Sequence, residues 1–125
     1  MWLSIFAIFC GAGLGALLRA AFNFLTVSAA SVIPMGTLIS NMVGGYFIGI
    51  AIAFFGNNPN VSPDWKLFII TGFLGGLTTF SSFSAEVVGL IQRGELSWAL
   101  GTALLHLVGS IALTFLGILT YQALK

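Results

Sequence analysis

The chain has 125 residues, of which 58% are hydrophobic and only 6% are charged. Soluble domains carry about 25% charged residues, so this composition is typical of a membrane protein and excludes an ordinary soluble domain. The net charge of +1 at pH 7 excludes the basic surface that nucleic-acid binding requires. We therefore expect the lipid bilayer, and no nucleic acid, among the partners of this chain.

Four apolar segments follow one another, and each is long enough to cross a membrane as a helix. About 20 apolar residues cross roughly 30 Å of hydrocarbon at a rise of about 1.5 Å per residue. The predicted helices cover residues 2–26, 35–56, 66–92 and 96–124. Short connections at 28–34, 57–63 and 93–96 leave no room for a second domain. The sequence predicts an all-α membrane protein with four transmembrane helices in a single domain, residues 1–125.

The basic residues that normally orient a membrane protein are evenly divided. Four crossings place Lys66 and Lys125 on one side, and Arg93, with Arg19 at the far end of the first helix, on the other. A chain without a positive-inside bias can insert both ways up, which predicts dual topology. Chains of opposite orientation would pair as an antiparallel homodimer, a two-chain version of the inverted repeats of larger transporters. A fixed topology set by other features remains the alternative.

The second and fourth helices each carry a polar stripe, because a spacing of four keeps side chains on one face. On the second helix the stripe is Thr37, Asn41, Gly45 and Gly49. On the fourth helix it is Thr102, His106, Ser110 and Thr114. The stripes are either packing seams with interhelical hydrogen bonds or a polar track for a small ion. The amide and the imidazole favour the second interpretation, because burying such groups unpaired costs several kcal/mol.

The third helix contains the segment GFLGGLTTFSSFSAE, which predicts a break near its centre. Its three glycines weaken the helix, and hydroxyl side chains can cap the freed backbone. The glycines are Gly72, Gly75 and Gly76, and the hydroxyls are Thr78, Thr79, Ser81 and Ser82. The first half of a broken helix ends in carbonyls that can hold a cation, and the second half begins with amides that favour an anion.

Phe80 and Phe83 follow the predicted break, with Ser84 beside them. An aromatic ring has an electropositive edge, so two ring edges among hydroxyls can surround a small anion without a full charge that would trap it. Core packing is the alternative for both rings. We expect Arg19 to extend towards the membrane interface and to concentrate anions there. Glu86 either hydrogen-bonds to a neighbouring helix or carries protons.

Three segments together carry a resemblance to a known family. GGLTTFSSFSAE in the third helix, GTLISNMVGG in the second and GAGLGALLR in the first resemble the Fluc/CrcB family of bacterial fluoride channels, and the likeness covers essentially the whole chain. The resemblance implies a passive, fluoride-selective channel that exports F⁻ across the bacterial inner (cytoplasmic) membrane. It further implies a dual-topology antiparallel homodimer with two pores.

The resemblance also assigns residues. It implies an aromatic box of Phe80 and Phe83, with Asn41 donating to fluoride. The implied fluoride pore as a whole comprises Thr37, Asn41, Phe80, Ser81, Ser82, Phe83, Ser84, His106, Ser110 and Thr114, with Arg19 in the anion vestibule. A structural Na⁺ that is not transported would be held at the dimer centre by the backbone carbonyls of Gly75 and Thr78 from both chains.

Three other functions are alternatives to a channel. A proton-coupled exporter of the small multidrug resistance type also has four helices and dual topology, but it needs an acid in its first helix, where this chain has Arg19 and Asn23. A non-transporting scaffold subunit would leave the aromatic pair and the polar stripes unexplained. The sequence has no Ser/His/Asp set, phosphate loop or acid and histidine cluster for catalysis, so we expect no enzyme.

Overall fold

A computed structural model describes residues 1–28 and 31–125, and in this part of the chain every regular element is helical. The helices are α1 (Trp2–Thr26), α2 (Met35–Asn57), α3 (residues 63–77), α4 (Phe80–Gln92) and α5 (Leu96–Leu124). Helix α3 consists of Pro63–Lys66, the π-helical turns Leu67–Leu74, and Gly75–Leu77. Ala29 and Ala30, in the predicted connection 28–34, lie outside the described residues.

The described residues contain 4 helical spans long and apolar enough to cross a membrane: α1, α2, α3 together with α4, and α5. This confirms the all-α, four-helix prediction. The first and fourth spans have the predicted bounds, but the third begins at Pro63 rather than at residue 66. The earlier start has a local cause. Ser62 Oγ accepts a hydrogen bond from the Asp64 amide at 3.3 Å, and proline at the first helical position needs no amide partner.

Helices α1 and α3 approach so closely that their glycines face each other's backbone. A Cβ atom on Gly15 would lie 2.7 Å from the Leu77 amide nitrogen, and one on Gly72 would lie 3.0 Å from Gly11 Cα. Gly11 and Gly15 on α1, and Gly72 and Gly76 on α3, each have G-x-x-x-G spacing and together form a single contact between the two helices. Small residues allow this distance, which larger side chains would prevent.

Helices α2 and α5 run parallel and pack through the two polar stripes. Asn41 faces His106, which lies 65 positions further along the chain, and the same offset places Gly45 beside Ser110. Thr114 Oγ1 donates to the Gly45 carbonyl at 2.9 Å. The glycines of the α2 stripe thus serve helix packing, as the packing-seam interpretation expected. Of the polar members of the stripes, Asn41, His106 and Ser110 lie beside the break.

The predicted break is confirmed, but it lies after the glycines. Thr78 (φ −82°, ψ 158°) and Thr79 (φ −150°, ψ 122°) are extended, whereas Gly75 is still helical (φ −64°, ψ −37°). Gly72 and Gly76 allow close contact with α1, since a Cβ atom on Gly76 would lie 3.0 Å from Ala12 Cα. Thr79 caps α4, because its Oγ1 accepts a hydrogen bond from the Ser82 amide at 3.1 Å.

Candidate ion-binding site at the helix break

The break is held by a side chain from α2. Asn41 Oδ1 accepts a hydrogen bond from the Thr79 amide at 2.8 Å, and Asn41 Nδ2 donates to the Thr79 carbonyl at 3.0 Å. In an uninterrupted α-helix the Thr79 amide would instead pair with the Gly75 carbonyl. A single amide side chain therefore satisfies both backbone groups of the extended residue, and the Gly75 carbonyl is released from helical pairing.

An imidazole and two phenyl rings extend from this clamp. Asn41 Nδ2 also lies 3.0 Å from His106 Nδ1, and His106 is only 4% exposed. The Phe83 ring packs against the imidazole with centroids 4.5 Å apart and planes inclined by 31°. Phe80 meets Phe83 edge to face, with centroids 5.5 Å apart and planes inclined by 69°. The aromatic pair is thus linked to the polar stripes through His106.

These groups border a cavity of about 400 Å³ between α2, α5 and the break. The predicted pore residues on its wall are Asn41, Phe80, Phe83, His106 and Ser110. The two residues predicted to hold the cation, Gly75 and Thr78, lie on the same wall. The structure therefore brings the aromatic pair, the amide, the imidazole and the break carbonyls together at one place. The cavity is open at Phe80, whose side chain is 79% exposed.

Other predicted pore residues lie outside the wall of this cavity. Thr37 is one turn of α2 away from Asn41 and donates to Glu86 Oε2 at 2.6 Å. This bond is the link to a neighbouring helix that was one of the two expectations for Glu86. The remaining residues lie in the first turns of α4 or one turn beyond Ser110 on α5: Ser81, Ser82, Ser84 and Thr114. Their role in a pore stays a prediction.

The hydroxyls of the α5 stripe are bonded to backbone carbonyls. Ser110 Oγ donates to the His106 carbonyl at 2.5 Å, and Thr114 Oγ1 donates to the Ser110 carbonyl at 2.9 Å. Such bonds to the carbonyl one turn back are common for Ser and Thr in helices. To donate to an ion, Ser110 would first have to release the His106 carbonyl, and Thr114 would have to release the Ser110 and Gly45 carbonyls that share its one hydrogen.

Arg19 contacts the neighbouring membrane span, and its place in an anion vestibule at the membrane interface stays a prediction. Its Nε donates to the Gly76 carbonyl at 3.3 Å, at the end of α3, and the side chain is half-buried. The carbonyl end of a helix carries partial negative charge, which attracts a guanidinium group. Arg19 therefore lies beside the break. Its partner, Gly76, is 57 positions further along the chain, so the sequence around Arg19 does not indicate this contact.

Sequence reasoning missed the pairing of Asn41 with the Thr79 backbone, because no local pattern signals a contact across 38 positions. It also missed how many polar atoms remain unpaired in the interior. Among the described residues, the buried side-chain atoms without a hydrogen-bond partner are Ser40 Oγ, Glu86 Oε1, Thr102 Oγ1 and His106 Nε2. A polar stripe with a period of four was the available signal for two of them, Thr102 and His106.

Comparison with known proteins places this architecture in a family. Residues 6–118 match the family described as "CrcB-like protein, Camphor Resistance (CrcB)". A protein of Polynucleobacter asymbioticus named "Fluoride-specific ion channel FluC" is 82% identical over 125 residues, which cover 100% of both chains.

More distant relatives carry the same name. A Pseudomonas syringae pv. maculicola protein is 56% identical over 119 residues, covering 95% of this chain and 94% of its own. A Burkholderia thailandensis protein is 52% identical over 123 residues, covering 98% and 96%. With the family match across most of its length and full-length relatives at this identity, the chain belongs to the CrcB family.

Proposed function

We propose that this multi-pass membrane protein is a passive, fluoride-selective ion channel and not an enzyme. Its relatives at 82% and 56% identity are named fluoride-specific ion channels. The observation that carries the proposal is the row formed by Asn41, His106, Phe83 and Phe80 on the wall of the cavity at the break. In a bacterium the channel would lie in the inner membrane and export F⁻ from the cytoplasm.

The chemistry of this row suits a small anion that has to pass and not stay. Ring edges and N–H groups are electropositive, yet none carries a full charge that would trap the ion. Arg19 carries a full positive charge and donates to the Gly76 carbonyl before the break. It would attract anions into a vestibule without standing in the row itself. Thr37, Ser81, Ser82, Ser84 and Thr114 would continue the pore on either side of this row.

We propose that the functional unit is an antiparallel homodimer with two pores. Phe80 is 79% exposed although it borders the cavity and follows the break. Gly75, on the same wall, is also exposed. A second chain of opposite orientation would cover both residues and close the cavity into a path. The even division of basic residues between the two membrane sides supports insertion in both orientations.

The carbonyls of Gly75 and Thr78 fit a structural Na⁺ that is not transported. Both residues border the cavity, and the Thr79 amide that would have paired with the Gly75 carbonyl is bonded to Asn41 instead. Uncharged oxygen ligands suit a hard monovalent cation. A bound cation would supply the positive charge that balances these carbonyls, and a two-fold axis would allow both chains to share it. Arg19 satisfies the neighbouring Gly76 carbonyl in the same way.

The test is efflux from liposomes that contain the purified protein, followed with a fluoride electrode and repeated with chloride. A passive flux of fluoride that greatly exceeds that of chloride supports the proposal. A flux that requires a proton gradient would favour the proton-coupled multidrug exporter. The absence of any flux from liposomes shown to contain folded protein would favour a scaffold subunit.

A further inference from the structure

The orientation of the Asn41 amide is fixed by the backbone that it contacts. The Thr79 amide can only donate a hydrogen bond, and the Thr79 carbonyl can only accept one. The group 2.8 Å from the Thr79 nitrogen must therefore be the Asn41 oxygen, and the group 3.0 Å from the Thr79 oxygen must be the Asn41 nitrogen. An exchange of the two would place donor against donor and acceptor against acceptor.

This orientation determines where the proton of His106 resides. The Asn41 Nδ2 group has two hydrogens, of which one is bonded to the Thr79 carbonyl and the other faces His106 Nδ1 at 3.0 Å. Because Nδ2 has no lone pair to offer, Nδ1 must be the acceptor. In a neutral imidazole whose Nδ1 accepts, the proton is on Nε2.

The Nε2–H group that results has no partner. His106 is 4% exposed, and Nε2 is among the buried polar atoms without a hydrogen bond in the part of the chain that the structure describes. A buried donor left unpaired carries a free-energy penalty, so such groups normally bond to water, an ion or a ligand. Both hydrogens of the Asn41 amide, in contrast, are already used within the chain.

We propose that Asn41 is a positioning residue that fixes the Nε2–H tautomer of His106, and that this Nε2–H group, not the Asn41 amide, donates to the anion. The inference rests on the proposed function and deepens it by naming the donor. Asn41 acts through two partners: it holds the extended Thr79 backbone, and it keeps His106 Nδ1 occupied as an acceptor. The imidazole is left with one donor to offer, on a residue that borders the cavity. Because Nε2 itself is buried, an ion reaches this donor only when the imidazole or the Phe83 ring packed against it shifts.

The chain has a single histidine, which makes the tautomer directly measurable. Protein labelled with ¹⁵N-histidine in lipid bilayers gives one imidazole spectrum, in which protonated and unprotonated ring nitrogens are well separated. We expect a protonated Nε2 and an unprotonated Nδ1, and a shift of the Nε2 signal when sodium fluoride, but not sodium chloride, is added. A proton on Nδ1, or an Nε2 signal that does not respond to fluoride, would overturn the inference.

Two variants of His106 test the donor through flux. His106→Gln keeps an N–H donor near the Nε2 position, whereas His106→Leu removes it at similar size. Losing one hydrogen bond to a charged partner lowers a rate by about tenfold or more, so the leucine variant should conduct at least that much less than the glutamine variant. Equal flux through both variants would contradict the assignment of the donor.

The variant Asn41→Ala tests the positioning role separately, because it removes the donor to Nδ1 and leaves the imidazole intact. We expect the ¹⁵N spectrum to change from one tautomer to a mixture of both, in protein that still elutes as the assembled species. An unchanged single tautomer would show that Asn41 does not set the proton position. Wild-type protein that conducts fluoride but fails these tests refutes this inference alone, whereas wild-type protein without fluoride flux refutes the proposed function.

Discussion

Replacing Asn41 with aspartate changes the break at nearly constant shape. Asn41 makes three hydrogen bonds, at 2.8 Å from the Thr79 amide and at 3.0 Å to the Thr79 carbonyl and to His106. Aspartate can keep the bond from the Thr79 amide. Its second oxygen, however, would face two hydrogen-bond acceptors, the Thr79 carbonyl and His106 Nδ1, to which the Asn41 amide presents its two hydrogens. Leaving a buried partner unpaired costs about 1–3 kcal/mol, so the two losses amount to about 2–6 kcal/mol.

The size of the effect on flux follows from this range. A free-energy difference of about 1.4 kcal/mol corresponds to a factor of ten. If this free-energy penalty lowers the fraction of channels in the conducting conformation, the lower limit of about 2 kcal/mol predicts a reduction of fluoride flux by roughly 30-fold. The added negative charge repels an anion as well, so Asn41→Asp should be nearly inactive in fluoride efflux from liposomes.

The matched control is Asn57→Asp, the same substitution on the same helix. Asn57 Nδ2 donates to the Ala53 carbonyl of its own helix at 2.7 Å, at the end of α2 and far from the break. This variant should conduct fluoride at the wild-type rate. If Asn41→Asp also conducts at that rate, with both proteins eluting as the assembled species, the clamp on Thr79 is not needed for conduction and the reasoning fails.

Three further predictions use the same liposome and stability assays. Phe80→Ile or Phe83→Ile should sharply reduce fluoride flux while the dimer stays assembled. The control Phe9→Ile, at a residue 77% exposed on α1, should leave the flux unchanged. Wild-type flux in both pore variants would show that the aromatic pair only packs the interior. Replacing sodium on both sides by a bulky organic cation should abolish conduction through both pores together once the bound ion has escaped, and unchanged flux would refute the structural Na⁺. Gly76→Ala should destabilise the fold by about 1–3 kcal/mol in thermal unfolding, because its Cβ atom would meet the α1 backbone. Gly13→Ala, with nothing within 4 Å of the added atom, should be neutral or stabilising; equal unfolding temperatures would contradict the close contact of α1 and α3.

Local periodicity explains why the helices and the polar stripes could be predicted. A stripe such as Asn41 with Gly45 depends only on residues one turn apart, and such residues share a face wherever the helix ends up. Apolar length determines the four spans in the same way, since about 20 residues must cross the hydrocarbon. The packing of α2 against α5 and its register were not predicted, because the stripes give a polar face on each helix but not the partner of that face.

The location of the break could not be predicted, because glycine has two roles that a sequence does not separate. Gly72 and Gly76 looked like weak points of the helix, yet they remain helical and provide the contact with α1. The extended residues are Thr78 and Thr79, and both partners of the Thr79 backbone come from Asn41 on α2. The same limitation explains why the bond from Arg19 to the Gly76 carbonyl was not predicted, since the two residues are 57 positions apart in the chain.

The break is the place where all membrane segments meet, and this explains how a broken helix is tolerated in lipid. Its backbone groups have partners on different helices: Thr79 is paired with Asn41 of α2, and the Gly76 carbonyl is paired with Arg19 of α1. Helix α5 joins through His106, which accepts from the same Asn41 amide. Because these partners hold one short stretch of backbone, moving any of them displaces the others. Substitutions at Asn41, Arg19 and His106 should therefore be non-additive, as expected for residues of one connected network.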